Sequence, residues 1–320
     1  MRVDVMSSKY EVNLISIDEK DRFMEKYGRR ALYESKADIH GVCIKLLTDI
    51  REVKERWEES FYPMSANIRS HGRLVVTNEE GEGLKVFYDP LSKTAFLINV
   101  DYYGWIKSLA LSIASDILED AHGVYAIHGA CVDVDGRGIC LIAPPGTGKT
   151  THTYGLLRID RVRVVSDDWF FVYMGGGQPI AFASEKNFYI QADITDIWGE
   201  YRKIIELAEF DSKGRAIVNI RWIIGKGRFI PMTTLRKAIL LKRDPEDKCI
   251  FRRMNPEEAV QYLEKVDFCN PHLLVKDERK TNLRKQFFLE LFSMLDIYVV
   301  NTTAPIEQCH RAIREDILGL

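Results

Sequence analysis

Three groups of residues in this chain have types and spacing suited to phosphate chemistry. The first is Ala143-Pro144-Pro145-Gly146-Thr147-Gly148-Lys149-Thr150, with Thr151 behind it. It lies between an apolar strand and a helix expected to start at or near Lys149, and it reads as a Walker A phosphate-binding loop. Gly146 and Gly148 allow positive φ angles, so successive N–H groups can turn inward around an anion. The helix that follows aims its unpaired N–H groups and positive dipole end at the same place. Lys149 adds a point charge for β and γ phosphates, and Thr150 a hydroxyl for magnesium. Ala143 stands where the simple pattern has its first glycine. The second group is Asp167-Asp168, at the end of the apolar run Val162–Ser166. Strand C-terminal ends in such sheets converge on the ligand, which puts two carboxylates near the γ-phosphate; the plainer reading is a capping pair on the surface. The third is His128 in YAIHGACV, which fits equally well a core histidine on a buried strand.

These groups need a scaffold, and the pattern supplies one. Val124 to Ala130 reads as a buried strand. A hairpin follows with Asp135-Gly136 at its turn, and its second strand delivers the loop. In that register Cys131 faces Cys140, which makes a cross-strand disulfide conceivable. After the loop's helix come Val162–Ser166 and Phe170–Tyr173 as strands, with Gly175-Gly176-Gly177 as a turn. Leu235–Leu241 is a buried strand, Asn255–Lys265 a helix capped by Asn255 and opened by Pro256, 282–294 another helix, Asp296–Val300 a last strand and 305–318 a closing helix. Upstream, residues 1 to about 120 read as a smaller α+β region. It has helices over 17–30 and 49–59, one strand over 38–48, and a three-stranded meander from Gly72–Thr77, Gly83–Tyr88 and Thr94–Val100. The helix from Tyr102 to Glu119 has a broad apolar face, with Asp101 as its expected N-cap. The expected organisation is thus 1–120 and 121–320. His40 and His71 are lone histidines with no evident chemistry.

The string AIHGACVDVDGRGICLIAPPGTGKTT…RVRVVSDDWFFV resembles the kinase domain of bacterial HPr kinase/phosphorylase and its relatives, a family related in fold to phosphoenolpyruvate carboxykinase. The resemblance covers about Val124 to Val172 and is weak beyond. It implies an α/β P-loop kinase domain of HPr kinase/phosphoenolpyruvate carboxykinase type, preceded by the smaller α+β region. It also implies roles: Pro145, Gly146, Thr147, Gly148, Lys149, Thr150 and Thr151 around the nucleotide phosphates; Thr150 and Asp168 on the metal; Asp167 as the carboxylate that takes a proton from an acceptor hydroxyl; His128 beside the transferring phosphoryl group. Glu185 is a further metal or substrate ligand candidate. The family's Glu-Arg-Gly-rich segment after the paired aspartates is absent; Ala183-Ser184-Glu185-Lys186-Asn187-Phe188-Tyr189 stands there. The N-terminal region is also unlike that family's regulatory domain, so neither the HPr protein as substrate nor phosphorolysis carries over.

The expected activity is therefore magnesium-dependent transfer of the terminal phosphoryl group of ATP, or of ADP or GTP, to a hydroxyl. The acceptor is a small metabolite or a protein serine. A nucleotide-binding regulatory module and a carboxykinase-like enzyme are the other readings; the last would need a second metal site that cannot be assembled here beyond His128. A basic loop, Arg221 to Arg228, offers Arg221 or Lys226 to close over the ligands. A net charge of −2 gives no global pull toward nucleic acid or anionic membrane. No apolar run approaches a membrane span, the N-terminus lacks an apolar leader, and six scattered cysteines show no zinc spacing, so a cytoplasmic protein is expected. Relatives of the resembled fold form oligomers, which implies a homo-oligomer.

Overall fold

The structure, a computed structural model, describes residues 10–320; positions 1–9 of the stretch read for a leader lie outside the described residues. The first half is built around a seven-stranded sheet. Its elements, in chain order, are β1 (Val12–Leu14), α1 (Ile17–Lys26), β2 (Tyr33–Ile39), β3 (Val42–Thr48), α2 (Arg51–Ser60), β4 (Tyr62–Pro63), β5 (Gly72–Thr77), β6 (Lys85–Asp89), β7 (Thr94–Ile98) and α3 (Tyr103–His122). The strand order is β1-β6-β7-β5-β3-β2-β4. Period-two alternation explains its two faces. Leu74, Val76, Ala95 and Leu97 point to the side covered by α2 and α3. Val75, Phe96 and Ile98 point to the other side, where Phe23, Met24 and Tyr27 of the α1 region cover them. The central strands are buried on both faces, as parallel strands require.

Several local expectations change here. The run 38–48 is not one strand: the chain reverses at His40-Gly41, both at positive φ, to make the β2–β3 hairpin. The expected meander is not one either, because β5 pairs in parallel with β7 while β6 joins β7's other edge. Long stretches of β-branched and aromatic residues fix strand identity but not neighbour order. The residue at the N-cap of α3 is Tyr102, without a side-chain cap, rather than Asp101. Gly123, left-handed at φ 60°, ends that helix.

The second half continues with β8 (Val124–Val134), β9 (Arg137–Ile142), α4 (Lys149–Leu156), β10 (Val162–Ser166), β11 (Trp169–Gly175), β12 (Gln178–Ala183), β13 (Phe188–Gln191), α5 (Ile194–Ile197), α6 (Lys203–Leu207), β14 (Arg215–Val218), α7 (Arg221–Ile224), β15 (Met232–Lys242), β16 (Phe251–Met254), α8 (Pro256–Lys265), α9 (Glu278–Ser293), β17 (Asp296–Asn301) and α10 (Ile306–Arg311). An eight-stranded sheet holds β9, β15 and β17 in parallel, and its other pairings are antiparallel. The architecture is a mixed α/β one with parallel and antiparallel pairing. Alternate residues again serve two cores. Val132, Leu141, Ile239 and Leu241 face the α4 and α10 side. Cys131, Cys140, Ala238 and Leu240 face α8 and α9. Asp135 and Gly136 are both left-handed, as a two-residue hairpin turn requires, and Cys131 does pair with Cys140. Both are nevertheless free, buried thiols rather than a disulfide. Asn255 makes a capping box with Glu258 ahead of α8. Among the described residues no helix is long and apolar enough to cross a membrane.

Candidate functional site

The loop between β9 and α4 takes the shape its glycines allow. Gly146 and Gly148 lie at φ 77° and 96°. A Cβ would be strained at either position. Thr147 closes the turn by donating from Oγ1 to the Pro144 carbonyl at 2.7 Å, and Thr302, just after β17, donates to the Thr147 carbonyl at 2.9 Å. Behind the loop, α4 has free amides at its N-terminus. Trp198 donates its indole N–H to the Thr151 carbonyl at 2.9 Å and fixes that first turn from outside.

Pairing of β8 with β11 sets His128 opposite Trp169, and the Gly129 amide donates to the Asp168 carbonyl at 2.8 Å. This juxtaposes His128 and Asp168 beside the loop. Lys149 Nζ lies 3.0 Å from Asp168 Oδ1 and 3.3 Å from His128 Nε2. The other ring nitrogen, Nδ1, is 2.6 Å from the Cys269 carbonyl. A carbonyl only accepts, so Nδ1 carries the proton and Nε2 presents a lone pair in the neutral ring. Burial and the Lys149 ammonium push the His128 pKa below its ordinary value, against the pull of Asp168. The neutral form with an accepting Nε2 is thus the resting state. The Cys269 carbonyl is delivered by three successive left-handed residues, Asp267, Phe268 and Cys269. Such a run stores backbone strain and persists only where its surroundings hold it.

A residue that the sequence did not single out completes the cluster. Lys107 of α3 is buried and reaches Asp168 at 3.1 Å and Glu185 at 2.8 Å. Burial opposes its charge, but Glu185 and Asp168 overcome that cost and hold its pKa above the usual lysine value. Burial likewise opposes ionisation of Asp168, yet Lys149 and Lys107 on either side hold it well below the usual carboxylate range. With a third of its side chain exposed, Asp168 is the member of the aspartate pair open to a ligand.

All of this opens on one cavity of about 1150 Å³. The residues expected around phosphates, Pro145 to Thr151, line it, as do His128 and Asp168. Asp167 does not. Its carboxylate accepts from the buried Tyr154 hydroxyl at 3.2 Å, and burial with the neighbouring Asp168 charge pushes its pKa up to about 7. The expected acceptor-facing base is therefore turned into the core, and Asp168 stands in the cavity instead. The pair follows a register shift of β10 against β8 between Val164 and Ser166 and lies in the bend between β10 and β11. Glu185 also stays outside the cavity lining, tied behind Asp168 through Lys107, where burial raises its pKa despite Lys107. Arg221 and Lys226 do not reach the cavity: Arg221 stacks on Phe229 at 3.8 Å and donates to the Lys186 carbonyl, and Lys226 lies over Trp222. The cavity draws its further cations from Lys213, Arg215 and Arg243, and its aromatic wall from Tyr102, Trp105, Tyr189 and His272. Only their meeting in space marks them, since they come from distant segments. Among the described residues no group of three or more His, Cys, Asp or Glu side chains is arranged to hold a metal by itself.

No protein-family profile matches this chain, and no curated protein matches it in sequence. Among solved structures, the Hpr(Ser) kinase/phosphatase from Coxiella burnetii is similar at 12% identity and a TM-score of 0.30, over 40% of this chain and 76% of that one. A likeness at that score decides neither fold nor activity.

Proposed function

We propose that this protein is a magnesium-dependent phosphotransferase. It moves the terminal phosphoryl group of a nucleotide, ATP before ADP or GTP, onto a hydroxyl acceptor. The observation that carries the reading is the meeting of the glycine-bent loop, Lys149, Asp168 and His128 on one cavity. The loop amides and Lys149 would hold the β and γ phosphates, with Lys149 leaving Asp168 for the incoming anion. Thr150 and Asp168 both line the cavity and would be a sparse set of oxygen donors. It suits magnesium, which keeps several waters and is held through one or two carboxylates and substrate phosphates. When bound, magnesium would neutralise charge on the β and γ oxygens.

His128 then serves as the base in place of Asp167. With ATP or GTP as donor, the acceptor oxygen forms its bond to the γ phosphorus as the bond to the β–γ bridging oxygen breaks. The hydroxyl proton passes to His128 Nε2, and the nucleoside diphosphate leaves. Asp168, 3.3 Å from that nitrogen, stabilises the imidazolium so formed. Lys107 keeps Asp168 ionised and in position. The cavity, at about 1150 Å³, exceeds the ~300–1,000 Å³ of a one-ligand site, leaving room for nucleotide and acceptor together.

The test is calorimetric binding of MgATP, MgADP and MgGTP, followed by turnover against pooled hydroxyl metabolites and a protein extract, for wild type and Lys149→Met. Acceptor-dependent turnover that falls ~10²–10³-fold in the variant supports transfer. Tight binding without turnover in any pool favours a regulatory nucleotide-binding module. Failure of every nucleotide to bind overturns the reading.

A further inference from the structure

Arg215, on β14, is placed as a seat for an anion. Its guanidinium lies 5.7 Å from the Tyr102 ring centre and 5.8 Å from that of Tyr189, against the pair these two rings make at 6.1 Å from each other. Gln191, its partner across the β13–β14 pair, accepts one N–H at 3.0 Å. Among the described residues no carboxylate lies within 4.0 Å of the guanidinium. The nearby acid, Asp211, is already engaged by Arg56, the Tyr189 hydroxyl and the Arg215 backbone amide. The side chain is thus oriented by stacking, left without a counter-charge, and open to the cavity that holds Lys149 and Asp168. Tyr102, against which the guanidinium lies, lines the same cavity as Lys107 and Asp168. A fixed guanidinium fork with donors to spare matches a carboxylate in bidentate geometry, which a lysine cannot do.

We propose that the acceptor is a small hydroxy acid, whose carboxylate is seated on Arg215 while its hydroxyl is presented to His128 and Asp168. This rests on the phosphotransferase reading above. The transferred phosphoryl group forms its new bond to that hydroxyl oxygen, and the proton goes to His128 as before. Arg215 is a specificity residue: it tells acids from neutral polyols.

The experiment pairs acid and neutral probes: D-glycerate against glycerol, and L-serine against L-serinamide. Binding is measured calorimetrically on the MgADP-loaded protein, and turnover with MgATP, for wild type, Arg215→Gln and Arg215→Lys. The acid of at least one pair should bind tenfold or more tighter than its neutral partner. Arg215→Gln should erase that preference, and Arg215→Lys should restore part of it, with nucleotide affinity the same in all three proteins. Equal binding of acid and neutral probes, no binding of any probe, or an acid preference that survives Arg215→Gln would overturn the carboxylate seat while normal nucleotide binding left the phosphotransferase reading standing. If the wild type binds no nucleotide, that reading falls and this one with it.

Discussion

The two ends of α3 carry two buried ion networks built from the same chemistry and put to different use. At the C-terminal end, Asp116, Glu119 and Asp120 surround Lys280 of α9 at 2.7, 3.1 and 3.0 Å, with Lys93 and Arg284 completing the set. Tyr88 donates its hydroxyl to Asp116 at 2.7 Å. None of these side chains lines the cavity. At the N-terminal end, Lys107 joins Asp168 and Glu185, and Asp168 continues to Lys149 and His128. Here the chain of charges ends on open space. The first network is closed and fastens α9 to α3. The second holds Lys107 and Glu185 rigid so that Asp168 and Lys149 can face a ligand. Burial alone does not distinguish the two; access to the cavity does.

The sharpest way to test that contrast is to remove the base. His128→Gln should cut turnover ~10²–10⁴-fold with nucleotide affinity retained. Because the neutral ring is the form that can take a proton, and burial and Lys149 hold its pKa below the ordinary histidine value, the wild type should lose kcat/KM only at pH below the ordinary histidine range, and the variant should lack that acid limb. Lys280→Met attacks the closed network. It takes the shared cation from three carboxylates that Lys93, Arg279 and Arg284 still partly compensate, and should cost at most ~3–5 kcal/mol in urea unfolding, while MgATP affinity of the folded protein stays the same. A fall in affinity there would mean the two networks are coupled through α3. Smaller, and confined to a pH window, is the effect of Asp167→Asn. In the native state Asp167 keeps its proton up to about pH 7, whereas the unfolded chain releases it near 3.8. Native stability therefore declines as pH rises between those values. The variant, which keeps an acceptor for Tyr154, should be more stable than wild type at pH 8 by at most ~4 kcal/mol and equal to it at pH 3. Turnover within threefold of wild type would agree with Asp167's place outside the cavity; abolished turnover would return it to the role of base.

Much of this was legible in the chain because its causes are local. The glycine and proline of the loop, the Asp-Gly turn with its Cys131–Cys140 register, and the Asn255 capping box each rest on a few neighbouring residues. Neighbour order in the first sheet was not, since Thr94–Ile98 suits a central strand beside any apolar partner. The aspartate pair shows the limit most clearly. The pair follows a register shift in β10 and sits in a bend, where strand alternation no longer says which side chain faces the cavity, and nothing in RVRVVSDD announces either. Lys107, Arg215 and His272 come from segments with no motif of their own; only packing brings them to the cavity that Asp168 lines.

The position of β15 has a consequence for how the protein is made. The loop leaves from β9, and β9 is held between β8 and β15, with Cys140 against Ala238 and Ile142 against Leu240. Contacts so distant in sequence form late, because the intervening chain must first be closed into a loop. The seven-stranded sheet, whose partners all lie between Val12 and Ile98, can assemble while synthesis continues. A nascent chain would thus carry the whole Pro144–Thr150 sequence long before it had a rigid cradle. Nucleotide would become a stabilising ligand only once Met232–Lys242 had emerged and docked, making ligand binding a late checkpoint in maturation.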